Sequence, residues 1–305
     1  MHRNEQTLTE SGPCRILAVL NQKGGVGKTT TVANLSAVLA AGGKRTLVID
    51  LDPQAHLTIH LGADAESAPS GAYAVLTGGR SLQEALLQTR ENLWLLSSGI
   101  DLVGAETELV TEVGRETILR NALGDIRHQF DFILIDCPPS LGLLTLNALA
   151  AADEVLIPVQ PHFLALQGFG RLLQTILLVN QRINPALHVR AILMCMYDSR
   201  ISLSVEVKND IEKFLASARQ SHTPWSGACV VPIHIRRNIK LAEAPSYGKT
   251  IFEYEPSCHG AEDYRSVADF LFGQHTDAVS AQASSPLDET SSLPQSAGND
   301  QSEPA

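Results

Sequence analysis

One octapeptide constrains the fold of this chain more than any other feature: KGGVGKTT at residues 23–30. It follows an apolar run at 16–20 and precedes small residues with helical spacing at 30–41, an order that is typical of a phosphate-binding loop. Its three glycines allow backbone N–H groups to turn inward as an anion nest, and the following helix adds its N-terminal donors. The pattern predicts an α/β fold with a nucleotide site.

The residue types in the loop match the chemistry of a bound nucleoside triphosphate. Lys28 can reach the β- and γ-phosphates, and the Thr29 hydroxyl can ligate Mg²⁺. A glycine-rich turn without a ligand is the alternative, but it leaves the Lys-Thr pair unexplained. We therefore predict ATP and Mg²⁺ as cofactors, with ATP in contact with Lys23, Gly24, Gly25, Val26, Gly27, Lys28, Thr29 and Thr30.

Acidic residues end two of the predicted strands. Asp50 and Asp52 close one apolar run, and Asp136 follows FILI at 132–135 in the layout of a Walker B strand. In an open α/β sheet, the carboxyl ends of the strands border the crevice where ligands bind. We predict that Thr29 and Asp136 hold the metal, Asp136 through water. A capping or turn role for Asp50 and Asp52 is the alternative.

Apolar strands alternate with helical stretches along residues 14–273. This order predicts one α/β domain of the P-loop NTPase type, with a mostly parallel twisted sheet and helices on both faces. The predicted strands are 15–20, 45–50, 93–97, 131–136, 154–159, 189–195 and 229–233. The predicted helices are 29–41, 81–89, 107–127, 142–150, 165–182, 203–218 and 261–272. The stretch 62–80 is expected to be a surface excursion.

The two ends differ from this domain in composition. Residues 1–13 are polar and lack the apolar core of a secretory signal, and residues 274–305 are rich in Ser, Ala, Pro, Gln and Asp. We expect both ends to be disordered. The C-terminal segment carries five acidic residues and no Lys or Arg, so it accounts for half of the net charge of −10. The net charge of the whole chain is therefore a poor argument against nucleic-acid binding.

The sequence also argues against a membrane-spanning protein and against a protein that binds a metal cluster through cysteines. No apolar run approaches the roughly 18 residues of a membrane span, so no membrane association is predicted. The five cysteines are scattered without a C-x-x-C pair, which favours buried thiols in a reducing cytoplasm. Cys137 lies beside Asp136, where a small packed residue is favoured over a nucleophile.

The loop departs from the usual pattern G-x-x-x-x-G-K-[ST] at its first position and carries an additional lysine at its second. Gln22 stands where that pattern has glycine, and Lys23 is a second lysine. This variant resembles the deviant Walker A loop of the ParA/MinD superfamily. The resemblance to chromosomal ParA/Soj proteins covers residues 14–272 and includes DLDPQ at 50–54, DCPPSLGLLTLNAL at 136–149, VLIPVQPHFLALQG at 155–168, MYDSR at 196–200, RRNIKLAEAPSYGK at 236–249 and GAEDY at 260–264.

The resemblance implies roles for individual site residues. Lys23 would cross a dimer interface to the partner's nucleotide and act in trans like an arginine finger. A solvated lysine is the alternative. Asp52 would orient the attacking water, and Asp50 would support the Mg²⁺ shell. The catalytic residues implied are therefore Lys23 and Asp52, in a slow hydrolysis of ATP to ADP and phosphate that serves as a timer.

Partitioning ATPases of this family bind DNA without sequence preference as ATP-bound dimers, which requires basic side chains that displace phosphate counterions. Residues 190–249 carry nine basic and five acidic side chains, a net of +4 on an acidic chain. Arg200 and Arg237 match family positions that contact DNA, and Lys240 is a third candidate. A solvated helix face with capping arginines is the alternative.

Together these features predict a cytoplasmic, nucleoid-associated ATPase that forms an ATP-dependent homodimer. It would bind double-stranded DNA and partition a chromosome or plasmid with a ParB-type centromere-binding protein. A ParA-like ATPase that positions another cargo, such as a chemoreceptor array or a carboxysome, is the alternative. A MinD-like membrane-associated division regulator is disfavoured by Gln22 and by the acidic C-terminal segment.

Three positions depart from the ParA pattern. Arg236 precedes Arg237 where a proline is common, His162 stands where a glutamate is common, and Gln167 stands where an acid is frequent. The last two affect the expected partner surface and leave the nucleotide site intact.

Overall fold

The computed structural model describes residues 13–64, 71–162 and 165–273, with only the backbone described at 165–167. Apart from Pro13, the two ends expected to be disordered lie outside these residues and stay predictions. The described strands are β1 (Arg15–Val19), β2 (Thr46–Asp50), β3 (Leu86–Arg90), β4 (Leu93–Leu96), β5 (Phe132–Asp136), β6 (Glu154–Val159), β7 (His188–Tyr197), β8 (Cys229–Val230) and β9 (Ile235–Arg236).

These strands form one sheet in the order β3-β4-β2-β5-β1-β6-β7-β8, and β9 pairs with the end of β7. Every pairing is parallel except the one between β3 and β4. Because parallel strands share one direction, the loops that follow β1, β2, β5, β6 and β7 leave the sheet at the same edge. The predicted, mostly parallel sheet is confirmed.

Helices cover both faces of the sheet. They are α1 (Lys28–Ala41), α2 (His56–His60), α3 (Gly71–Leu76), α4 (Leu82–Ala85), α5 (Leu102–Glu108), α6 (Ile118–Gly124), α7 (Leu143–Ala151), α8 (Ala165–Arg182), α9 (Ser202–Ala218), α10 (Ile239–Glu243), α11 (Ile251–Tyr254) and α12 (His259–Phe272). Successive residues of β1 point to opposite faces. Ile16 and Ala18 join the core under α3 to α9, whereas Leu17 and Val19 join the core under α1 and α12. None of the helices in the described ranges is long and apolar enough to cross a bilayer.

Two predicted helices are wrong in extent. At 81–89, Ser81 and Glu84 form a capping box that starts α4, but the backbone becomes extended at Leu86 with ψ 135°. Strand β3 then pairs antiparallel with β4, and this strand was not predicted. The helix predicted at 107–127 is divided into α5 and α6. Gly114 between them has φ 75°, a left-handed conformation that an α-helix does not contain.

Two further predictions need correction. The stretch 62–80 contains α3, whose Ala72, Val75 and Leu76 are buried in the core, while residues 65–70 lie outside the described part. The strand predicted at 229–233 is reduced to β8, and β9 was not predicted. Strands of two residues are too short to show an alternation of apolar and polar side chains, so the sequence pattern could not separate them.

A buried asparagine ties α1 to the C-terminal helices. The Asn34 side chain is fully buried, and its Nδ2 donates to the carbonyl of Thr30 at 2.8 Å. Its Oδ1 accepts the N–H of Ile251, the first residue of α11, at 2.8 Å. Ile251 is itself buried, so its N–H depends on this side chain for an acceptor. The contact fixes α11 against the helix that follows the glycine-rich loop.

We expect Asn34→Ala to lower the free energy of unfolding by about 1–3 kcal/mol, the cost of leaving a buried backbone donor unsatisfied. Urea denaturation followed by circular dichroism measures this change. Ser36→Ala is the matched control, because Ser36 is equally buried in α1 and its hydroxyl donates to the Ala33 carbonyl of the same helix at 3.0 Å. Equal effects of the two substitutions would contradict a specific tether.

Candidate functional site

The glycine-rich loop lies at the carboxyl edge of the sheet, between the end of β1 and the start of α1. The backbone φ is 71° at Gly25 and 97° at Gly27, in the left-handed region that glycine adopts without strain. A Cβ built on Gly24 or Gly25 would meet no other atom within 4 Å, so the space beside the loop is open. The loop and the N-terminus of α1 therefore border an open space, as an anion site requires.

That space is a cleft of about 680 Å³, a volume that is ordinary for a ligand site. The predicted site residues that line it are Gly24, Gly25, Gly27, Lys28, Thr29, Thr30 and Asp52. The opposite wall comes from β9, α10 and the buried Tyr264 of α12. The structure thus brings most of the predicted loop residues together with Asp52 in one cleft.

Lys28 and Thr29 connect the loop to the end of β5. Lys28 is buried, and its Nζ donates to the carbonyl of Lys23 across the loop at 3.4 Å. The Thr29 hydroxyl donates to Oδ2 of Asp136 at 2.7 Å. Asp136 is fully buried, and its Oδ1 has no hydrogen-bond partner among the described residues. Burial, followed by the nearby charge of Asp50, raises the pKa of Asp136 well above its ordinary value.

A buried network holds the loop that follows β2. Asp50 accepts from the N–H of Asp52 at 3.1 Å and from the N–H and hydroxyl of Thr58 at 2.9 and 2.8 Å. Ser98 donates its N–H to the Thr58 hydroxyl at 2.9 Å and its own hydroxyl to the carbonyl of Asp52 at 2.7 Å. Burial raises the pKa of Asp50 to about 7 in spite of these donors. Asp50 therefore positions the loop, while the Asp52 carboxylate borders the cleft.

The carboxyl groups suit a divalent cation that is shared with a ligand. Asp50 and Asp136 are paired in the register of β2 and β5, and two ionised carboxylates this close repel each other. Across the described part of the chain, no three His, Cys, Asp or Glu side chains form a metal site by themselves. Mg²⁺ fits Thr29 and the unpaired oxygen of Asp136, because it is commonly held by one or two carboxylates together with substrate phosphates and water.

Lys23 lies outside the cleft, although the sequence predicted it among the ATP contacts. Together with Val26 it borders a second cavity of about 380 Å³. Its Nζ lies 2.5 Å from Nε2 of His162, and its N–H donates to Oδ1 of Asn21 at 3.0 Å. The loop is therefore divided between two cavities, with Lys28 and Thr29 in one and Lys23 in the other.

The three residues predicted to bind DNA lie at the edge of the sheet that carries the cleft. Arg200 follows β7, Arg237 follows β9, and Lys240 is in the first turn of α10. Strands β7 and β9 are parallel, with Tyr197 opposite Arg236, so both strands end at this edge. The predicted residues are thus grouped on one side of the molecule.

Ion pairs neutralise part of the basic region 190–249. The basic residues in it that make ion pairs are Arg200, Lys208, Lys213, Arg236 and Lys240. Arg236 donates to both carboxylate oxygens of Asp263 and therefore fixes α12 against β9. Arg237 is exposed and forms no ion pair with any residue that the structure describes. Of the three predicted DNA contacts, Arg237 is the one whose charge is not already paired.

The sequence did not reveal the hydrogen-bond network around Asp50. It also did not reveal most of the residues that form the wall of the cleft opposite the glycine-rich loop. Thr58 and Ser98 are 40 residues apart, and no local pattern marks either of them. The wall residues Ile235, Leu241 and Pro245 lie in or beside the segment 236–249. The similarity of that segment to ParA proteins was the available signal.

We expect Asp136→Asn to stabilise the nucleotide-free protein at alkaline pH in the presence of EDTA. A carboxyl group whose pKa is higher in the folded protein than in the unfolded chain destabilises the fold increasingly as the pH rises from about 4. The amide keeps an acceptor for Thr29 and carries no charge. The gain in free energy of unfolding should therefore grow between about pH 5 and about pH 8.

Thermal unfolding at the two pH values measures this gain. Asp125→Asn is the control, because Asp125 is exposed at the C-terminal end of α6. A gain from Asp136→Asn that is the same at both pH values would contradict a raised pKa of Asp136.

Comparison with known proteins places this geometry in a family. The AAA domain family matches residues 14–189. The sporulation initiation inhibitor protein Soj of Bacillus subtilis is 42% identical over 255 residues, which is 83% of this chain and 96% of Soj. The chromosome partitioning protein ParA of Myxococcus xanthus is 42% identical over 263 residues, which is 86% of this chain and 89% of that protein.

One solved structure has nearly the same sequence identity to this chain as these relatives. The cobyrinic acid a,c-diamide synthase of Mycobacterium smegmatis, with bound ADP and magnesium, is 41% identical, with a TM-score of 0.70. The match covers 84% of this chain and 93% of that protein. The AAA match contains the glycine-rich loop, Asp52 and Asp136, and the curated relatives match over nearly their whole length. The chain therefore belongs to the ParA/Soj family of chromosome-partitioning ATPases.

Proposed function

We propose that this ATPase is a Mg²⁺-dependent switch that forms a homodimer around ATP. In that state it binds double-stranded DNA without sequence preference, and with a ParB-type partner it partitions a chromosome or plasmid. The observation that carries the proposal is the division of the glycine-rich loop between two cavities. Lys28 and Thr29 face the cleft of their own subunit, whereas Lys23 faces away from it.

The cleft has the groups that Mg-ATP requires. The loop and the N-terminus of α1 would bind the phosphates, and Lys28 would exchange its 3.4 Å hydrogen bond to Lys23 for the β- and γ-phosphates. Thr29 and Asp136 would hold Mg²⁺, the latter through water, and Asp50 would keep the loop after β2 in place. When bound, Mg²⁺ neutralises charge on the phosphate oxygens. The ADP and magnesium bound in the M. smegmatis structure support this choice of ligands.

Asp52 is the carboxylate that we assign to hydrolysis. It is 9% exposed and borders the cleft. Its Oδ1 accepts the N–H of Gln54 at 3.0 Å, and its carbonyl accepts the Ser98 hydroxyl at 2.7 Å. One hydrogen bond thus fixes the carboxylate and another fixes the backbone of the same residue. A carboxylate held in this way can orient a water molecule toward the γ-phosphate and accept its hydrogen bond.

Lys23 would act on the nucleotide of a second subunit. A lysine donated across an interface stabilises the charge that develops on the transferred phosphoryl group, as an arginine finger does. The triphosphate of each subunit would then be the anion that attracts Lys23 of the other. Nucleotide binding and dimerisation are thereby coupled, because ATP stabilises the dimer in which both lysines are engaged.

DNA binding would use the edge of the sheet that carries the cleft. A dimer would hold two copies each of Arg200, Arg237 and Lys240, and each contact with a phosphate releases counterions. The pair between Lys240 and Glu243 is partly exposed and three residues apart, so a DNA phosphate can replace the carboxylate at little cost. DNA binding would depend on ATP, because the ATP-bound dimer joins two weakly basic surfaces into one larger basic surface.

The partner and the cargo complete the proposal. A ParB-type centromere-binding protein would trigger hydrolysis, and the ATP-bound dimer would reside on the nucleoid in the cytoplasm. Positioning of a chemoreceptor array or a carboxysome is the alternative with the same ATPase. A MinD-like role at the membrane is a third candidate, and recruitment of the ATP-bound dimer to DNA or to vesicles separates it from the first two.

The name of the M. smegmatis structure indicates amide synthesis, and a simple test distinguishes this activity from the proposed one. An amide synthase uses ATP to activate a carboxylic acid and needs an amine source. The proposed switch hydrolyses ATP with neither. Turnover of ATP in a buffer that contains neither substrate therefore supports the switch, and turnover that requires both substrates would contradict it.

The two lysines of the loop should separate nucleotide binding from dimerisation. We expect Lys28→Ala to abolish binding of fluorescent ADP, because its amine borders the cleft. Lys23→Ala should change that affinity less than about tenfold, or 1.4 kcal/mol, yet abolish dimerisation with an ATP analogue. Light scattering after size exclusion measures the dimer. Loss of ADP binding in both variants would show that Lys23 serves its own subunit.

Arg237→Ala should weaken ATP-dependent binding to random duplex DNA. Each lost phosphate contact should reduce the slope of log K against log salt concentration by about 1 per subunit. Fluorescence anisotropy across a salt series measures this, with Asp52→Ala as the background that retains ATP. Arg219→Ala is the matched control, because Arg219 is also exposed but lies at the C-terminal end of α9, away from this edge.

If the ATP-bound dimers do not bind DNA at any salt concentration, the proposed DNA binding is contradicted and another cargo is favoured. Equal losses in Arg237→Ala and Arg219→Ala would contradict the assigned surface.

A further inference from the structure

A second polar site lies beside the cleft, where the loops after β1 and β6 meet. The two strands are parallel neighbours, so both loops leave the sheet at the same edge. Asn21 joins them, because its Nδ2 donates to the carbonyl of Pro158 at 2.7 Å and its Oδ1 accepts the N–H of Lys23 at 3.0 Å. This tether places Lys23 over the residues that follow β6.

The side chain of Lys23 is bound there by a histidine. Its Nζ lies 2.5 Å from Nε2 of His162, a close contact in which the two nitrogens share a hydrogen bond. An ammonium group can only donate, so His162 must accept through an unprotonated Nε2 and carry its proton on Nδ1. A doubly protonated imidazole would place two cations in contact. The contact therefore exists only while His162 is neutral.

Charged side chains are few in the described lining of this cavity. Partial burial, and then the charge of Lys23, lower the pKa of His162. Lys23 and His162 are the titratable groups among the described residues that line this cavity. The others are three amides, two valines and a glycine: Asn21, Gln22, Gln160, Val26, Val159 and Gly168. None of these described lining residues is a carboxylate, so none of them offers Lys23 a negative charge.

We propose that His162 is a positioning residue for Lys23. Its imidazole acts as a latch, meaning that it holds Lys23 on its own subunit until His162 is protonated or until the nucleotide of a partner subunit replaces His162 as the partner of Lys23. The inference rests on the proposed action of Lys23 in trans. In the free subunit, the hydrogen bond stabilises the conformation in which Lys23 contacts His162. It therefore opposes dimerisation, because this contact must break before Lys23 can reach the other subunit. Protonation of His162 breaks the hydrogen bond and releases Lys23. ATP-dependent dimerisation should therefore strengthen as the pH falls through the lowered pKa of His162.

The contact is tested first without nucleotide. The imidazole signals of His162, identified by their loss in His162→Ala, are followed by NMR against pH in the wild type and in Lys23→Ala. We expect the pKa of His162 to rise toward its ordinary value of about 6.5 in Lys23→Ala. Lys213→Ala, which removes an exposed lysine of α9, should leave it unchanged. An unchanged pKa in Lys23→Ala would overturn the proposal, whether or not the protein dimerises.

The second measurement is dimerisation with a non-hydrolysable ATP analogue between about pH 6 and about pH 8. His162→Ala should dimerise several-fold more tightly than the wild type at the upper pH and lose the pH dependence. His162→Gln has an amide oxygen that can accept from Lys23, so it should keep the weaker dimerisation and also lose the pH dependence. Equal affinities and pH profiles in the wild type and His162→Ala would overturn the latch.

The two measurements separate the latch from the proposed function. If no variant dimerises at any pH, the proposed action of Lys23 in trans fails. The NMR titration still decides in that case whether His162 holds Lys23, because it needs neither nucleotide nor a second subunit.

Discussion

The buried carboxyl groups at the ends of β2 and β5 set the conditions for the rest of the site. Asp50 and Asp136 are paired in register, are fully buried and both have raised pKa values. The ionised pair is unfavourable without a positive charge nearby, and Lys28 of the loop supplies part of it. Protonation of one carboxyl group would remove the remaining repulsion in the nucleotide-free protein, and a divalent cation bound together with the phosphates would also do so. The affinity of this edge for Mg-ATP follows from charges that the fold itself brings together.

In the proposed function, the same edge of the sheet would couple the nucleotide to DNA and to a second subunit. The cleft, the second cavity with Lys23 and the predicted DNA contacts all lie where parallel strands end. Within one subunit, the cation of Lys23 is directed to His162 rather than to the cleft. In the proposed function, a second subunit would direct its Lys23 to the nucleotide in this cleft. On this account, dimerisation completes the nucleotide site and at the same time duplicates the basic surface.

The sequence predicted the central part of this arrangement because the signals are local. The loop, the strands that end in Asp50 and Asp136, and helix α1 are each encoded by contiguous residues, and the structure has them at the predicted places. Strand β3 was missed because Ser81 and Glu84 start a helix that ends after one turn. Gly114 broke a helix that apolar periodicity alone would continue. In both cases a single backbone conformation overrides the pattern.

Other features could not be predicted because they depend on residues that are distant in sequence. Thr58 and Ser98 support Asp50 and Asp52 only once β2 and β4 are paired. The contact between Lys23 and His162 spans 139 positions. The sequence marked His162 as an unusual residue in a familiar segment, and the tertiary structure supplied its partner. The residue-level roles in catalysis and DNA binding stay predictions.

The central claim is that Lys23 completes the site of the other subunit, and a mixing experiment tests it most directly. Each variant should be inactive alone, because Lys23→Ala does not dimerise with itself and the Asp52→Ala dimer lacks the carboxylate that orients the attacking water. In a mixed dimer, the Lys23→Ala subunit keeps Asp52 and receives Lys23 from its partner, so one site is complete. The account predicts that ATP hydrolysis reappears when the two inactive proteins are combined. A mixture as inactive as its components, although mixed dimers form, would contradict it and place Lys23 in the site of its own chain.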